Sequence, residues 1–269
     1  MQSDTGGSDP APSLGELYAA HGGKVSDKWT RYLGEYERLF APYRSRALSL
    51  LEIGVQNGGS LELWSRYFPA ATRIVGCDID PRCGQLHYED PRIRVVVADA
   101  SGAAAPEAVR ALVPAPDVVI DDGSHKSGDI IRAFANYFPL LEDGGLYVCE
   151  DLCVSYWKEF DGGLANAHSS LSFFKRLVDV VNHEHWRIPG TRRDVLGEFS
   201  ARYRTCFDEQ QLARIHSVEF INSMCVLRKE PAADNVLGSR VVVGEIAAVE
   251  PAPRAMHDSS VSTVAGTGG

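Results

Sequence analysis

Short apolar runs recur along the chain, and segments with helical spacing separate them. Continuous apolar runs of this kind are typical of strands that are covered on both faces. The predicted strands are LSLLEIG (48–54), RIVGCDI (73–79), RIRVVVAD (92–99), DVVIDD (117–122) and GGLYVCED (144–151), with VEFINSMCVLRK (218–229) as a later strand or hairpin. Intervening segments such as SLELWSRYF and SGDIIRAFANYFPLL are predicted to be helices.

This alternation predicts an α/β fold, with a Rossmann-like, doubly wound, mostly parallel sheet and helices on both faces. Aromatic residues at helical spacing in 14–46 predict an N-terminal helical extension that packs over the carboxyl-end rim of the sheet or between subunits. The Rossmann-like core is predicted over 47–231. Small and polar residues at both ends predict flexible tails over 1–13 and 232–269, although RVVVGEIAAV within the second tail is a candidate for an extra strand.

Composition narrows the possible partners. The chain has 269 residues and is 44% hydrophobic, which fits one large domain. With 27 Lys and Arg against 36 Asp and Glu, the net charge of -9 argues against nucleic acid or an anionic membrane as a partner. The six cysteines form no CxxC pair, and no apolar stretch is long enough to span a bilayer. We therefore expect a cytoplasmic protein that binds a small molecule.

The first predicted strand leads into a glycine loop, LLEIGVQNGGS. Glu52 lies at the strand end, and Gly54, Asn57 and Gly58 precede the next helix. Glycines here allow the backbone to approach a ligand closely. The spacing E-x-G-x-x-x-G matches neither the dinucleotide nor the P-loop motif, and the acidic residue favours a cationic ligand over a phosphate. We therefore predict these four residues as part of a ligand site.

Acidic residues also end the next two strands. Asp78 can accept hydrogen bonds from both hydroxyls of a ribose, and Asp99 with Ser101 can contact an adenine edge. A single acidic residue at a strand end is explained equally well as a ligand contact or as a helix cap or solvated turn. Acidic residues at three consecutive strand ends favour the ligand contact. Residues 45–151 thus resemble the nucleotide half of class I S-adenosylmethionine-dependent methyltransferases. The resemblance implies that Glu52 and Gly54 lie near the methionine moiety.

The fourth and fifth strands end in further charged residues: Asp121, Asp122 and His125 follow one, and Glu150 and Asp151 follow the other. Clustered carboxylates raise one another's pKa unless a cation lies among them, and an oxygen-rich set suits Mg²⁺. One interpretation is a metal that binds two adjacent substrate hydroxyls, with His125 as general base. In the other, the residues after Asp121 form a turn that caps the next helix, and His125 is a surface residue.

Longer motifs carry a narrower resemblance over residues 22–229. IDDGSH, GGLYVCEDL, SLSFFKRLVDVVN and SDKWTRYLGEYERLFAPYR resemble the metal-dependent sugar O-methyltransferases of macrolide biosynthesis, of the mycinamicin and tylosin type, with related rhamnosyl O-methyltransferases and cephalosporin hydroxylase-like proteins. The resemblance implies Asp122, Glu150 and Asp151 as metal ligands, His125 as the base, and Asp121 beside the sulfonium. The chain departs from it at Thr30-Arg31-Tyr32, where a His is expected before the tyrosine.

The function that this resemblance implies is transfer of a methyl group from S-adenosylmethionine, with Mg²⁺ or another divalent cation, to a sugar hydroxyl of a glycosylated antibiotic by a homo-oligomer. Alternatives are methylation of a catechol or another vicinal diol, and a non-catalytic cofactor-binding partner of a hydroxylase. Two further clusters stay open. His183 and His185 are either a helix cap or a metal pair, and Tyr156, Trp157 and Phe160 form either an apolar wall for an aglycone or part of the core.

Overall fold

A computed structural model describes residues 11–246, 248 and 249. Its centre is one sheet of seven strands in the order β3-β2-β1-β4-β5-β7-β6. The strands are β1 (Ser49–Ile53), β2 (Arg73–Asp78), β3 (Ile93–Val97), β4 (Val118–Asp121), β5 (Leu146–Cys149), β6 (Ile215–Ile221) and β7 (Met224–Lys229). The first five are parallel, and β7 lies antiparallel between β5 and β6. The predicted fold class and the hairpin are confirmed.

Helices cover both faces of the sheet, as the continuous apolar strands predict. They are α1 (Leu14–Ala19), α2 (Thr30–Phe40), α3 (Gly59–Tyr67), α4 (Ala105–Arg110), α5 (Ser127–Tyr137), α6 (Ser170–Val181), α7 (Gly197–Tyr203) and α8 (Glu209–Leu212). One core cluster joins α1, α2 and α3 to one face of the sheet, and the other joins α4 to α8 to the opposite face. The chain therefore buries each strand between two apolar layers.

The N-terminal extension packs within the chain. On α2, Tyr36 and Phe40 are fully buried, and their rings lie 5.2 and 5.6 Å from the ring of Trp64 on α3. The start of α2 reaches the carboxyl-end rim of the sheet, as predicted. Because these aromatic side chains are buried in one chain, their apolar character is not evidence for a subunit interface.

The predicted tails lie partly outside the described residues, which omit 1–10, 247 and 250–269. Between 232 and 246 the backbone forms one short 3₁₀ turn, Ala232–Asp234, and no strand, so the candidate extra strand is not formed in its described residues. Leu237 N–H donates to Glu184 Oε1 at 2.8 Å. Among the described helices, none combines the length and apolar character that a membrane span needs.

Candidate functional site

A cavity of about 820 Å³ opens at the carboxyl ends of the parallel strands. This is the edge where doubly wound sheets bind ligands, because the loops that leave the strands converge there. Most of the predicted site residues line it, namely Gly54, Asn57, Asp78, Asp99, Ser101, Asp121, Asp122, His125 and Asp151. Residues Val25 to Lys28, which precede α2, line the same cavity. The tertiary structure thus joins five strand ends and the N-terminal segment in one site.

The two glycines of the loop after β1 are required by its backbone. Gly54 has φ +92°, and a Cβ at this position would collide with the backbone carbonyl of Asp122. Gly58, with φ +84°, begins the turn into α3, and a Cβ there would collide with the hydroxyl of Tyr88. Only glycine adopts such angles without strain. Gly54 therefore lets β1 and β4 end side by side, although Gly58 itself does not line the cavity.

Asp78 fixes the glycine loop from the end of β2. Its Oδ2 accepts hydrogen bonds from the backbone N–H of Val55 and Gln56, and its Oδ1 accepts from Asp80 N–H. Partial burial opposes ionisation of Asp78, but these backbone donors outweigh it and lower its pKa. The carboxylate is therefore charged, and its remaining lone pairs can accept from a ligand in the cavity.

Asp99 and Ser101 lie at the far end of the cavity, after β3. The Asp99 carboxylate accepts from the N–H and the hydroxyl of Ser101, at 2.9 and 2.8 Å. Asp99 is exposed. Their hydrogen bonds close a small turn and leave one Asp99 oxygen for a ligand, so the predicted adenine contact stays a prediction.

Glu52 lies behind the cavity rather than in its wall. It is fully buried, accepts a hydrogen bond from the Ser60 hydroxyl at 2.6 Å, and has its Oε1 3.7 Å from the ammonium of Lys28. Burial raises the pKa of Glu52, although Lys28 and Ser60 oppose the increase. Contact between Glu52 and a cofactor stays a prediction, since in this arrangement Lys28 stands nearer the cavity than Glu52 does.

Lys28 is the functional residue that the sequence analysis missed. Its ammonium contacts Asp122 Oδ2, Glu150 Oε1 at 2.7 Å and Glu52, and only 2% of its side chain is exposed. Burial alone would lower the pKa of this lysine, but the three carboxylates raise it well above its ordinary value. The sequence predicted a cation among the carboxylates, and the Lys28 ammonium is one. However, nothing in the local sequence around SDKW indicates that a lysine 94 positions from Asp122 supplies one.

Asp122, His125 and Asp151 meet at the mouth of the cavity and could hold a metal ion, since one ligand atom from each lies within 4.8 Å of the others. His125 Nε2 is 3.9 Å from Asp122 Oδ1 and 3.8 Å from Asp151 Oδ2. Both His125 and Asp151 have positive φ, at 57° and 53°. Backbone angles of this kind are unfavourable for residues other than glycine and recur at functional sites. Two carboxylates and an imidazole suit a divalent cation.

Glu150 lies apart from this group of three. It is 1% exposed and accepts hydrogen bonds at Oε1 from Lys28 and from the Tyr36 hydroxyl. Burial raises the pKa of Glu150, and the Lys28 ammonium opposes this increase. The prediction of Glu150 as a metal ligand therefore stays a prediction. The structure brings Asp122 and Asp151 together as predicted and places His125, predicted as the base, beside them.

Asp121 ends β4 inside the cavity wall. Burial raises its pKa to about 7, although the Tyr147 hydroxyl donates to its Oδ2 at 3.0 Å. The helix-cap interpretation of the residues that follow is wrong for Asp122, because α5 begins without a side-chain cap and Asp122 pairs with Lys28 instead. Ser124 does donate to Asp129 in the first turn of that helix.

The two remaining clusters lie elsewhere. Just after α6, His183 donates from Nε2 to the Gly190 carbonyl, 3.0 Å away. Neither His183 nor His185 belongs to a group of metal-ligand type among the described residues. The C-cap of α6 is Asn182, whose side-chain amide donates to the Val178 carbonyl, so the cap role of the two histidines stays a prediction. Tyr156 and Trp157 are 48% and 53% exposed, so they are not part of the core. Phe160 is half-buried, with its ring 6.1 Å from that of Trp157.

The chain is similar to methyltransferases, both in a protein-family model and in individual curated proteins. A methyltransferase domain model matches residues 51–152. The chain is 41% identical over 185 residues to 8-demethyl-8-alpha-L-rhamnosyl tetracenomycin-C 2'-O-methyltransferase of Streptomyces olivaceus, which covers 65% of this chain and 47% of that protein. It is 36% identical over 160 residues to mycinamicin VI 2''-O-methyltransferase of Micromonospora griseorubida, which covers 55% and 39%. The chain thus spans less than half the length of each of these two curated relatives.

A solved structure extends the similarity to the fold. The MycE methyltransferase from the mycinamycin biosynthetic pathway, in complex with Mg, SAH and mycinamycin VI, matches with a TM-score of 0.67 and 28% identity. The match covers 82% of this chain and 54% of that one. Together with the cavity at the carboxyl ends of β1 to β5, these similarities show that the chain has the class I methyltransferase fold and is similar to sugar O-methyltransferases of antibiotic biosynthesis.

Proposed function

We propose that this chain transfers the methyl group of S-adenosylmethionine to a sugar hydroxyl of a glycosylated natural product, with a divalent cation such as Mg²⁺ at the site. The observation that carries the proposal is the continuity of the cavity. Asp78 and Asp99 line one end of it, and Asp122, His125 and Asp151 line the other. The relatives named above are O-methyltransferases of a rhamnosyl tetracenomycin and of mycinamicin VI, and MycE was solved with Mg, SAH and mycinamycin VI.

The cofactor would occupy the part of the cavity above β1, β2 and β3. Asp78 would accept hydrogen bonds from the ribose, and Asp99 with Ser101 would contact the adenine region. Gly54 and Asn57, in the loop that Gly58 ends, would lie beside the methionine moiety. The carboxylates of Asp78 and Asp99 give this end of the cavity a negative potential. Such a potential favours a positively charged sulfonium over the neutral sulfur of the product.

At the other end, Asp122, Glu150 and Asp151 would hold the cation and His125 would act as base. A bound divalent cation lowers the pKa of a hydroxyl that it contacts. S-Adenosylmethionine supplies an electrophilic methyl carbon, whose C–S electron pair stays on sulfur when the new C–O bond forms. His125 takes the hydroxyl proton at Nε2, which points towards Asp122 and Asp151 in this structure. The two carboxylates then stabilise the imidazolium until it releases the proton to water.

A second assignment of the cation site follows from the observed grouping. Asp122, His125 and Asp151 lie close enough together to bind one ion, whereas Glu150 is held by Lys28 and Tyr36. In this alternative His125 is a ligand, and a water molecule or an adjacent carboxylate removes the proton. The two assignments share Asp122 and Asp151, and they differ in what a His125 variant does to metal affinity.

The test is an acceptor panel. Purified protein with S-adenosylmethionine and Mg²⁺ is offered a rhamnosylated polyketide, a free deoxysugar and a catechol, and formation of S-adenosylhomocysteine and of methylated product is measured by mass spectrometry. We expect methylation of the glycoside, loss of activity in excess chelator and recovery with Mg²⁺. Methylation of the catechol alone would favour the general diol alternative. Binding of S-adenosylhomocysteine without turnover on any acceptor would favour the non-catalytic alternative.

Three further properties belong to this proposal. Tyr156 and Trp157 are exposed, and we assign them as the apolar surface that contacts the aglycone.

The six cysteines are free thiols, which supports a reducing, cytoplasmic environment. A homo-oligomer is proposed from the family resemblance alone, and light scattering at micromolar concentration tests it.

A further inference from the structure

The start of α2 and the residue pair before it supply hydrogen-bond donors to the carboxylates at the cavity mouth. We call Lys28, Trp29, Tyr32 and Tyr36 the donor row. Lys28 donates to Asp122 Oδ2, and Lys28 and Tyr36 donate to Glu150 Oε1. The indole N–H of Trp29 and the hydroxyl of Tyr32 both contact Asp151 Oδ1, at 2.8 and 3.0 Å.

The hydrogen bonds from the donor row make the two oxygens of each carboxylate different from each other. In every case one oxygen receives the donors, and the partner oxygens, Asp122 Oδ1, Glu150 Oε2 and Asp151 Oδ2, accept no hydrogen bond from any described residue. Two of these unused oxygens, on Asp122 and Asp151, face His125 Nε2. A hydrogen-bonded carboxylate cannot rotate freely, so the donor row determines which oxygen is offered to a ligand.

Tyr32 acts most directly. Its hydroxyl lies 3.0 Å from Asp151 Oδ1 and also accepts from Asp151 N–H at 3.1 Å, so one group contacts both the side chain and the backbone of Asp151. Asp151 has φ 53° and therefore needs outside support for its backbone conformation. Tyr32 is 1% exposed, and its one hydroxyl proton is shared between Asp151 Oδ1 and the Ser223 carbonyl, 2.9 Å away, so the hydroxyl is held between the two acceptors.

We infer that Tyr32 and Trp29 are positioning residues for a divalent cation, acting through Asp151 by turning its Oδ2 towards Asp122 and His125. This inference rests on the proposed function, because it needs a cation at that point. Partners that orient metal ligands typically change metal affinity by about 10- to 100-fold when they are removed. The N-terminal segment is then a functional part of the site, although it lies outside the segment that the methyltransferase domain model matches.

The experiment measures binding of Mn²⁺ alone, by electron paramagnetic resonance of the free ion, to the full chain and three variants. Tyr32→Phe removes only the hydroxyl, and Trp29→Phe removes the indole N–H. Tyr43→Phe is the matched control, because this tyrosine is also buried but its hydroxyl donates to the Gly144 carbonyl, away from the carboxylates. We expect Mn²⁺ affinity to fall about 10-fold or more in Tyr32→Phe and Trp29→Phe and to stay within about twofold of wild type in Tyr43→Phe.

Thermal unfolding and binding of S-adenosylhomocysteine are measured on the same samples. A purely structural role for Tyr32 would lower the unfolding temperature as Tyr43→Phe does and leave Mn²⁺ affinity unchanged, which would overturn the inference. If Tyr32→Phe does not fold, Trp29→Phe decides the question, because Trp29 is 60% exposed and its replacement leaves the core intact. If the wild-type chain binds S-adenosylhomocysteine but no Mn²⁺, the metal part of the proposed function fails and this inference fails with it. Normal Mn²⁺ binding in wild type and in both donor variants would overturn the inference alone.

Discussion

The ammonium of Lys28 lies 2.7 Å from Glu150 Oε1, and both side chains are 2% exposed. Glu52 and Asp122 also contact this ammonium, so one buried cation faces three carboxylates. A buried charge that loses its partner is strongly destabilising, whereas an intact pair contributes little net stability. This arrangement therefore makes Lys28 necessary for the fold as well as for the site.

Lys28→Met should reduce the free energy of unfolding by about 3 kcal/mol or more, because it leaves the buried Glu52 and Glu150 and the partly buried Asp122 without their cation. Millimolar Mg²⁺ should restore part of the loss. Urea denaturation with and without Mg²⁺ measures both effects. Lys24→Met is the matched control, since Lys24 pairs with the partly exposed Glu62 and should cost at most about 1 kcal/mol. Equal stability of the Lys28 and Lys24 variants would contradict the prediction.

His125→Ala distinguishes the two assignments of the cation site. If His125 is the base, its loss should reduce turnover by roughly 10² to 10⁴ while Mn²⁺ affinity stays near wild type. If His125 is a ligand, Mn²⁺ affinity should fall as it does in Asp151→Asn, which removes a carboxylate in either assignment. Calorimetric titration of Mn²⁺ and single-turnover kinetics on the same preparations separate the outcomes. Near-normal turnover of His125→Ala would exclude both roles.

Asp78→Ala should weaken binding of S-adenosylhomocysteine more than tenfold, or about 1.4 kcal/mol, because a charged acceptor for the ribose is lost. The same change frees the N–H groups of Val55 and Gln56, so the glycine loop also loses its support. Calorimetry measures the affinity. Asp90→Ala is the control, because that carboxylate also accepts from a backbone N–H, that of Arg92, but lies outside the cavity wall. Unchanged affinity in Asp78→Ala would refute the cofactor assignment.

Gly54→Ala should impair stability and both ligand sites together. A Cβ at Gly54 would collide with the Asp122 carbonyl, and φ +92° is strained for alanine, so we expect a loss of about 2 kcal/mol or more and weaker binding of Mn²⁺ and S-adenosylhomocysteine. Gly34→Ala, in the middle of α2, meets no atom within 4 Å and should be neutral or stabilising by up to about 1 kcal/mol. A Gly54 variant with normal stability and binding would show that the close approach of β1 and β4 is not required.

Local patterns in the sequence were sufficient for the fold and for the edge of the sheet at which most of the predicted site residues lie. Continuous apolar runs predicted all five parallel strands, because a strand buried on both faces needs apolar residues at every position. The acidic residues after these strands were predicted to share one rim, since parallel strands end on the same edge. Asp78, Asp122 and Asp151 therefore reached the cavity wall as expected.

Only the tertiary structure decided how the charges are paired. The sequence analysis inferred that the acidic cluster needs a cation and assigned a metal ion, but the structure places Lys28 among Glu52, Asp122 and Glu150 and leaves Asp122 and Asp151 beside His125. Lys28 precedes its partners by 24 to 122 positions. Periodicity reports only on near neighbours along the chain, whereas a buried ion pair depends on which distant side chains the packed helices and strands bring within a few ångströms.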